Sequence, residues 1–265
     1  MTPIAQMPVT QISVRPLAGL PMFIPGMSIA QAICAALQSA GEDLRDGDIC
    51  VIAQKIVSKV EGRALALESL TPGDEALALA AKTGREPAMA QAILDESSEV
   101  LRAHPAAIIA RHRTGHVLAN AGIDASNIEG SDSGTVLLWP ADPDASARSI
   151  RADLQAATGK RMAVVIADSM GRAWRIGTVG TAIGCAGLAV LEDRRGRAVD
   201  LFGRTLQATV IAIADSVAAI ATLAMGEGDE GTPVALVRGA DRWVVEEDGA
   251  GAVSGLRPVE QDMFR

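Results

Sequence analysis

The stretch Arg161–Leu188, RMAVVIADSMGRAWRIGTVGTAIGCAGL, decides what kind of fold this chain adopts. Its apolar run from Met162 to Ala167 is rich in Val and Ile, which predicts a buried strand rather than a helix. The character changes abruptly at Asp168-Ser169, and Arg172 and Arg175 follow. An acid and a hydroxyl at the carboxyl end of a buried strand are typical of a metal–phosphate site. A solvated turn with surface-paired arginines explains this stretch equally well.

The composition excludes several classes of function. The 265 residues carry a formal charge of −8 and their basic residues are scattered, whereas nucleic-acid binding needs a basic face. Aromatic residues make up only 2% and tyrosine is absent, so no base-stacking surface is available. Cys34, Cys50 and Cys185 lack the spacing of a metal or disulfide site. They are typical of core residues in a reducing compartment.

Neither a secretory signal nor a membrane span is predicted. The N-terminus lacks a basic region followed by an apolar core. The longest apolar segment, Leu206 to Met225, is interrupted by Gln207 and Asp215. We therefore expect a soluble, cytoplasmic protein.

The residue patterns predict a mixture of helices and strands. Alternation from Val9 to Val14 and the apolar run Ile49 to Ala53 indicate strands, and Ser28 opens a helix that ends near Gly41. Further helices are predicted from Thr71-Pro72 to Lys82, from Glu86-Pro87 to about Arg102, from Asp142-Pro143 to Gly159 and from Leu206 to Ala224. Further strands are predicted at 106–110, 116–119, 135–139, 182–191 and 233–237.

The polar segment Gln54–Arg63, QKIVSKVEGR, directly follows a predicted strand. Its lysines and serine could bind phosphate together with backbone N–H groups, although a solvated helix start explains it as well. No glycine-rich P-loop pattern occurs anywhere in the chain. Asp124 and Asn127 lie in a later polar loop. They are interpreted either as cation ligands or as side chains that only cap the local backbone. His112 and His116 have strand-like surroundings, so a helical metal pair is not expected.

These segments together resemble the coenzyme F420:L-glutamate ligase family. The matching segments, in family order, are Gly47-Asp48 through Gln54–Arg63, NAGIDASN (120–127), DSMGRAWR (168–175), AIGCAGL (182–188) and MGEGDEGTPVALVRG (225–239). The resemblance implies a GTP-dependent ligase that joins the amine of L-glutamate to a carboxylate of an F420 precursor. It also implies Mg²⁺ or Mn²⁺, K⁺ as a further ion, and a homodimer. The implied fold is a single mixed α/β (α+β) ligase domain over residues 1–265, with two intertwined subdomains, and is neither ATP-grasp nor P-loop.

The resemblance also assigns roles to individual residues. The implied metal ligands are Asp124, Asp168, Ser169 and Glu227. The implied catalytic residues are Lys59, Asp168 and Arg172. GTP contacts are implied for Ala18, Gly19, Leu20, Pro21, Gln54, Lys59, Asn127, Met225, Gly226, Glu227, Gly228, Asp229, Glu230, Gly231 and Thr232.

One segment departs from the family pattern. Where the family usually has Gly-Gln-Thr-Asp, this chain has Gly177-Thr178-Val179-Gly180, which predicts a change in substrate recognition. A metal-dependent phosphohydrolase and a non-catalytic nucleotide-binding relative are the alternatives to a ligase.

Overall fold

A mixed five-stranded sheet forms the centre of the protein. The computed structural model describes residues 11–127 and 134–262, so part of the strand predicted at Val9–Val14 lies outside the described residues. The strands of this sheet span Ser13–Pro16 (β1), Ile49–Ala53 (β2), Ala163–Gly171 (β8), Thr178–Ala186 (β9) and Val234–Arg238 (β12). The sheet order is β1-β12-β2-β8-β9. Only β2 and β8 pair in parallel; the other neighbours in this sheet are antiparallel.

Helices cover both faces of this sheet. Helices α1 (Ile29–Ser39) and α5 (Pro143–Thr158) pack on one face, and α6 (Ile213–Met225) packs on the other. Alternate residues of β8 point to opposite faces, so Ile166 is buried in the first core and Val165 in the second. This two-sided burial explains the nearly continuous apolar run in the sequence.

Two predicted helix starts are confirmed in atomic detail. The Ser28 Oγ accepts a hydrogen bond of 3.2 Å from Gln31 N at the start of α1. Asp142 Oδ1 accepts one of 2.9 Å from Ala145 N at the start of α5. In each case a short polar side chain satisfies a backbone N–H that has no partner within the helix.

A second region, with its own apolar clusters, lies in the middle of the chain. It contains a three-stranded sheet in the order β4-β5-β6, whose core is shared with α3 and α4, and a two-stranded sheet of β3 and β7. A further two-stranded sheet joins β10 and β11. Their bounds, with α2, are Gln54–Val60 (α2), Ala64–Ala66 (β3), Asp74–Thr83 (α3), Pro87–Asp95 (α4), Ser97–His104 (β4), Ala107–His112 (β5), Val117–Ala119 (β6), Thr135–Leu137 (β7), Leu191–Asp193 (β10) and Val210–Ala212 (β11).

Several predicted boundaries were wrong. The strand at 162–167 continues through Asp168 and Ser169 to Gly171, because β9 pairs with it along that length. The helix from Pro87 ends at Asp95, and the residues up to His104 form β4 instead. In the first case strand pairing overrides a predicted turn, and in the second it overrides a local helical pattern. Other shifts are the later starts of α3 at Asp74 and α6 at Ile213, and the placement of β9 at 178–186 rather than 182–191.

The predicted mixed α/β fold class is confirmed by these sheets and helices. Across the described ranges, no helix combines the length and apolar character that crossing a membrane requires.

A buried arginine ties the 245–248 segment to the central sheet. The guanidinium of Arg151 on α5 donates to the carbonyl oxygens of Met162, Val245 and Glu246 and forms an ion pair of 2.7 Å with Asp248. Gly187 lies against this guanidinium, where an added Cβ would be 2.2 Å from Arg151 Nε.

We expect Arg151→Met to lower the free energy of unfolding by roughly 3–5 kcal/mol, because several buried acceptors lose their donor. Urea unfolding measures this change. Arg195→Met is the matched control, since Arg195 pairs with Asp193 at the surface and its loss should leave the unfolding midpoint unchanged. Equal midpoints for wild type and Arg151→Met would contradict the structural role of Arg151.

Candidate functional site

The predicted site segments meet at one edge of the central sheet. Ala53 at the end of β2 pairs with Ala167 of β8, so Gln54 and Asp168 lie side by side where β2 ends. Because β12 runs antiparallel to β2, its first residues lie at the same edge, where Val234 pairs with Ile52. The end of β1 also lies there, since Leu17 N donates to Val234 O. The loops at 18–21 and 225–232 therefore reach the edge that carries Gln54 and Asp168.

Asp168 is partly buried, and both of its carboxylate oxygens are held. Trp139 Nε1 donates to Oδ2 at 2.9 Å, and the backbone N–H of Ser169 donates to Oδ1 at 2.8 Å. Burial raises the pKa of Asp168 to about 6, and the nearby negative charge of Asp124 acts in the same direction. The two hydrogen bonds and the charge of Lys55 oppose this rise. The shift indicates that Asp124 and Asp168 are close enough to interact electrostatically.

Asp124 is paired with a lysine from helix α2. Lys55 Nζ lies 2.7 Å from Asp124 Oδ2, and the N–H and hydroxyl of Ser126 both donate to Oδ1. Desolvation disfavours the charged carboxylate, but the bonds from Lys55 and Ser126 outweigh it and lower the pKa of Asp124. The backbone of Asp124 exchanges two hydrogen bonds with Leu137. This loop is therefore attached to the strand segment that precedes Trp139.

Lys59 and Asn127 link α2 to the loop before β12. Lys59 Nζ donates to the carbonyl of Asn127 at 2.8 Å, and Asn127 Nδ2 donates to the carbonyl of Gly228 at 3.3 Å. Desolvation and the nearby charge of Lys55 both lower the pKa of Lys59. Lys55 and Lys59 lie one helical turn apart on α2, so both ammonium groups reach the 124–127 loop.

Gln54 offers an unsatisfied donor at this edge. Its side chain is only 2% exposed, and Oε1 accepts a hydrogen bond of 2.9 Å from Ser58. Nε2 has no partner within the described residues. A buried amide without an acceptor is costly, so this donor fits a polar ligand bound at the edge.

The implied metal ligands divide into two pairs on opposite faces of β8. Asp168 faces the Trp139 side together with Asp124, whereas the next residue, Ser169, points to the α6 face. Glu227 belongs to that second face, because its Oε1 accepts a hydrogen bond of 3.3 Å from Thr178 in β9. Among the described residues, no three His, Cys, Asp or Glu side chains form a group that could hold one ion. The described structure therefore does not bring the four predicted ligands together in a single cluster.

The 225–232 loop folds back on itself. Thr232 Oγ1 donates to the carbonyl of Met225 at 2.7 Å, and the N–H of Gly228 donates to Glu230 Oε2 at 2.8 Å. Gly226 has a φ of 79°, and an added Cβ would lie 2.2 Å from the Glu230 carboxyl carbon. Only glycine fits this position, which fixes how the loop leaves α6. Glu227 and Asp229 remain exposed beside it.

The remaining predicted residues lie further from the carboxylates. Ala18, Gly19 and Pro21 are exposed, while Leu20 packs on the core, so this loop offers backbone groups and a short apolar surface. Arg172 is exposed in the loop between β8 and β9, and the described contacts do not bring it to Asp168. Its catalytic role stays a prediction.

Two residues without an individually predicted site role occupy central positions. Lys55 forms an ion pair with Asp124. Its spacing of four residues from Lys59 on a helix is the one sequence signal that could have indicated that both lysines share a face. Trp139 holds Asp168, and nothing in the pattern of an apolar strand distinguishes a tryptophan that donates from one that only packs. Its role depends on contacts that are distant in sequence.

The departure at 177–180 has a structural reason at its last position. A Cβ on Gly180 would lie 2.2 Å from Thr222 Oγ1 and 2.6 Å from the carbonyl of Ala218, both on α6. An aspartate cannot replace Gly180 without moving that helix. Thr178, in contrast, is exposed and contacts Glu227.

Comparison with known proteins decides the family. The family described as F420-0:Gamma-glutamyl ligase matches residues 19–239. The chain belongs to this family. It is 47% identical to the coenzyme F420:L-glutamate ligase of Methanothermobacter thermautotrophicus, over 96% of this chain and 99% of that protein. It is 40% identical to the ligase of the same name from Archaeoglobus fulgidus, over 96% of this chain and 97% of that protein. The edge that carries Gln54, Asp124 and Asp168 lies within the part matched by the gamma-glutamyl ligase family.

The raised pKa of Asp168 predicts a pH dependence of stability in the metal-free protein. In the folded state the Asp168 carboxyl keeps its proton up to about pH 6, whereas in the unfolded chain it releases the proton near pH 3.8. Its contribution to stability is therefore lost as pH rises through this window, by roughly 3 kcal/mol. Denaturant unfolding of wild type and Asp168→Asn from pH 4 to 7 should show the wild type losing that amount relative to the variant. Parallel curves would contradict it, and Asp153→Asn is the surface control.

Proposed function

We propose that the chain is a coenzyme F420:L-glutamate ligase that uses GTP to activate a carboxylate of the F420 precursor. The observation that carries this proposal is the convergence of Gln54, Lys59, Asp124 and Asp168 on one sheet edge in a member of the gamma-glutamyl ligase family. The relatives' name supplies the substrates, and the charges at the edge support the use of a phosphorylated nucleotide.

The proposed chemistry follows from the inertness of a free carboxylate towards an amine. A carboxylate oxygen of the precursor attacks the γ-phosphorus of GTP, the bond to the β-phosphate oxygen breaks, and an acyl phosphate and GDP result. The amine of L-glutamate then attacks the acyl carbon, the carbon–oxygen bond to phosphate breaks, and the amine loses a proton. The products are an amide and inorganic phosphate. Both steps require the reacting groups to be held in line.

The residues at the edge suit the binding of a nucleotide polyphosphate. Lys59 presents a positive charge next to the 225–232 loop, and Gln54 Nε2 can donate to a phosphate or base oxygen. Partial desolvation makes the ammonium of Lys59 a stronger electrostatic partner than one in bulk water. The loops at 18–21 and 225–232 border the same space and can contact the nucleotide through backbone groups.

The carboxylates fit a hard divalent cation. Oxygen ligands of this kind suit Mg²⁺ or Mn²⁺, with Asp124 and Asp168 as one pair and Ser169 and Glu227 as the other. When bound, such ions neutralise charge on the transferring phosphoryl group. A cation near Asp168 would also relieve its repulsion by Asp124. Binding of K⁺ and assembly as a homodimer belong to the same proposal and rest on family resemblance.

Mass spectrometry tests the proposed function directly. Purified protein with GTP, Mg²⁺ or Mn²⁺, L-glutamate and F420 precursor should yield a product heavier by one or more glutamyl residues, with GDP and phosphate formed in step. GTP hydrolysis that is indifferent to glutamate would instead identify a phosphohydrolase. Tight GTP binding without turnover would identify a non-catalytic nucleotide-binding protein.

Lys59→Ala should weaken GTP binding or slow phosphoryl transfer by roughly 1.5–3 kcal/mol, because a charged hydrogen-bond donor is lost. Calorimetry with GTP and the ligation assay measure the two effects separately. Lys82→Ala, an exposed lysine on α3, is the matched control and should behave as wild type. If Lys59→Ala has the GTP affinity and the ligation rate of the wild type, Lys59 has only a structural role.

The departure at Thr178 and Val179 leads us to propose altered acceptor preference with GTP use retained. Thr178→Gln with Val179→Thr should shift activity towards the standard precursor, since polar groups are restored at the exposed position 178 and the half-buried position 179. Gly180 stays unchanged in this variant because α6 leaves no room for a side chain. The measurement is the ratio of ligation rates on the standard and on a modified F420 precursor. An identical ratio in the wild type and the double variant would disprove the proposal.

A further inference from the structure

Trp139 is a fully buried aromatic side chain that connects the candidate site to the second region of the fold. It is 0% exposed within the described structure. Indole nitrogen can only donate, and a buried donor requires an acceptor. That acceptor is Asp168 Oδ2, at 2.9 Å. The hydrogen bond therefore restrains both the indole ring and the carboxylate.

The ring itself has little freedom to move. His112 packs against it with ring centroids 4.8 Å apart, and His116 lies edge-on at 5.4 Å. On another side is Gly122, with a φ of 74°, where an added Cβ would lie 2.4 Å from Trp139 Nε1. Gly122 is thus required for the indole to occupy this position, and it lies two residues before Asp124.

The two histidines behind the indole are fixed by a shared threonine. The N–H of Thr114 donates to His112 Nδ1 at 3.1 Å, so this nitrogen is an acceptor and Nε2 carries the hydrogen that faces Glu96. Thr114 Oγ1 lies 2.9 Å from the Nδ1 atoms of both histidines. Since His112 Nδ1 accepts, the hydroxyl donates to it and accepts from His116 Nδ1. Both rings are therefore held in one orientation.

The backbone around Trp139 is also attached to both neighbouring parts of the site. Arg63, at the end of the Gln54–Arg63 segment, donates from Nε to the carbonyl of Trp139 at 2.8 Å and pairs with Glu96. Two residues earlier, Leu137 exchanges backbone hydrogen bonds of 3.0 and 2.8 Å with Asp124. The segment 137–139 thus holds Asp124 through its backbone and Asp168 through a side chain.

We infer that Trp139 is a positioning residue that sets the Asp168 carboxylate relative to Asp124 for binding a divalent cation. This inference rests on the proposed function, because it assumes that these carboxylates are cation ligands. The indole orients one oxygen of Asp168 and the N–H of Ser169 orients the other, while Asp124 is held by the backbone of Leu137, two residues before Trp139. Neighbours that orient a ligand carboxylate are known to affect metal affinity strongly.

The test compares the Mn²⁺ affinities of two tryptophan variants of the full-length protein. Electron paramagnetic resonance measures Mn²⁺ binding in the absence of substrates. Trp139→Phe keeps an aromatic ring and removes the N–H, and we expect about 10-fold or greater weakening of Mn²⁺ binding. Trp243→Phe is the matched control, because Trp243 Nε1 also donates to a carboxylate, Glu192, at 2.8 Å. It should bind Mn²⁺ as wild type does.

The outcomes separate this inference from the proposed function. Equal Mn²⁺ affinity in wild type and Trp139→Phe, or equal weakening in both variants, would overturn the role of Trp139 alone. A wild-type protein that binds no Mn²⁺ would overturn the cation site of the proposed function, and this inference with it.

A second measurement does not depend on the folding of Trp139→Phe. The chain has three tryptophans, so its ¹⁵N-labelled protein gives three indole N–H signals, which Trp243→Phe and Trp174→Phe assign. Asp168→Asn and, separately, titration of wild type with Mg²⁺ should each shift the Trp139 signal and leave that of Trp243 in place. A Trp139 signal that responds to neither would overturn the inference.

Discussion

The register of β2 against β8 is the constraint on which the candidate site depends. Pairing of Ala53 with Ala167 places Gln54 and Asp168 at one edge, and the antiparallel β12 returns its preceding loop to that edge. Because side chains alternate along a strand, a slip of one residue would turn Asp168 towards α6 and away from Asp124. The apolar residues of β8, buried on both faces, make such a slip costly. Core packing therefore fixes the positions of the polar groups.

The carboxylates of Asp124 and Asp168 at this edge differ in how their negative charges are compensated. Lys55 stabilises ionised Asp124, while Asp168 has hydrogen bonds but no ion pair among the described residues. Its pKa of about 6 shows that burial and repulsion outweigh those bonds. Within the described residues, this partly buried carboxylate is mostly ionised at neutral pH and forms no ion pair with a positive side chain. This arrangement suits a cation supplied from solution.

Polar and aromatic contacts help to connect the two regions of the fold. Trp139, Arg63 and Glu96 connect the central sheet to the sheet that carries His112. The segment Asn120–Asn127 adds backbone constraint, because Asn120, Ala121 and Asn127 have positive φ values, a conformation that alanine rarely adopts. Strained backbone of this kind persists where surrounding contacts hold it and is concentrated at functional sites. The position of Asp124 is accordingly set by the fold around it, not by local preference.

The sequence by itself determined the family, the mixed α/β class and the helices that carry their own capping residues, Ser28 and Asp142, because these depend on neighbours a few residues away. It did not determine that β8 runs on through Asp168, nor that residues after Asp95 form a strand, since strand pairing is contributed by distant segments. Only the tertiary structure divided the predicted metal ligands between two faces, paired Lys55 with Asp124 and joined Trp139 to Asp168. Each of these contacts spans about 30 residues or more of sequence, so no local pattern can encode it.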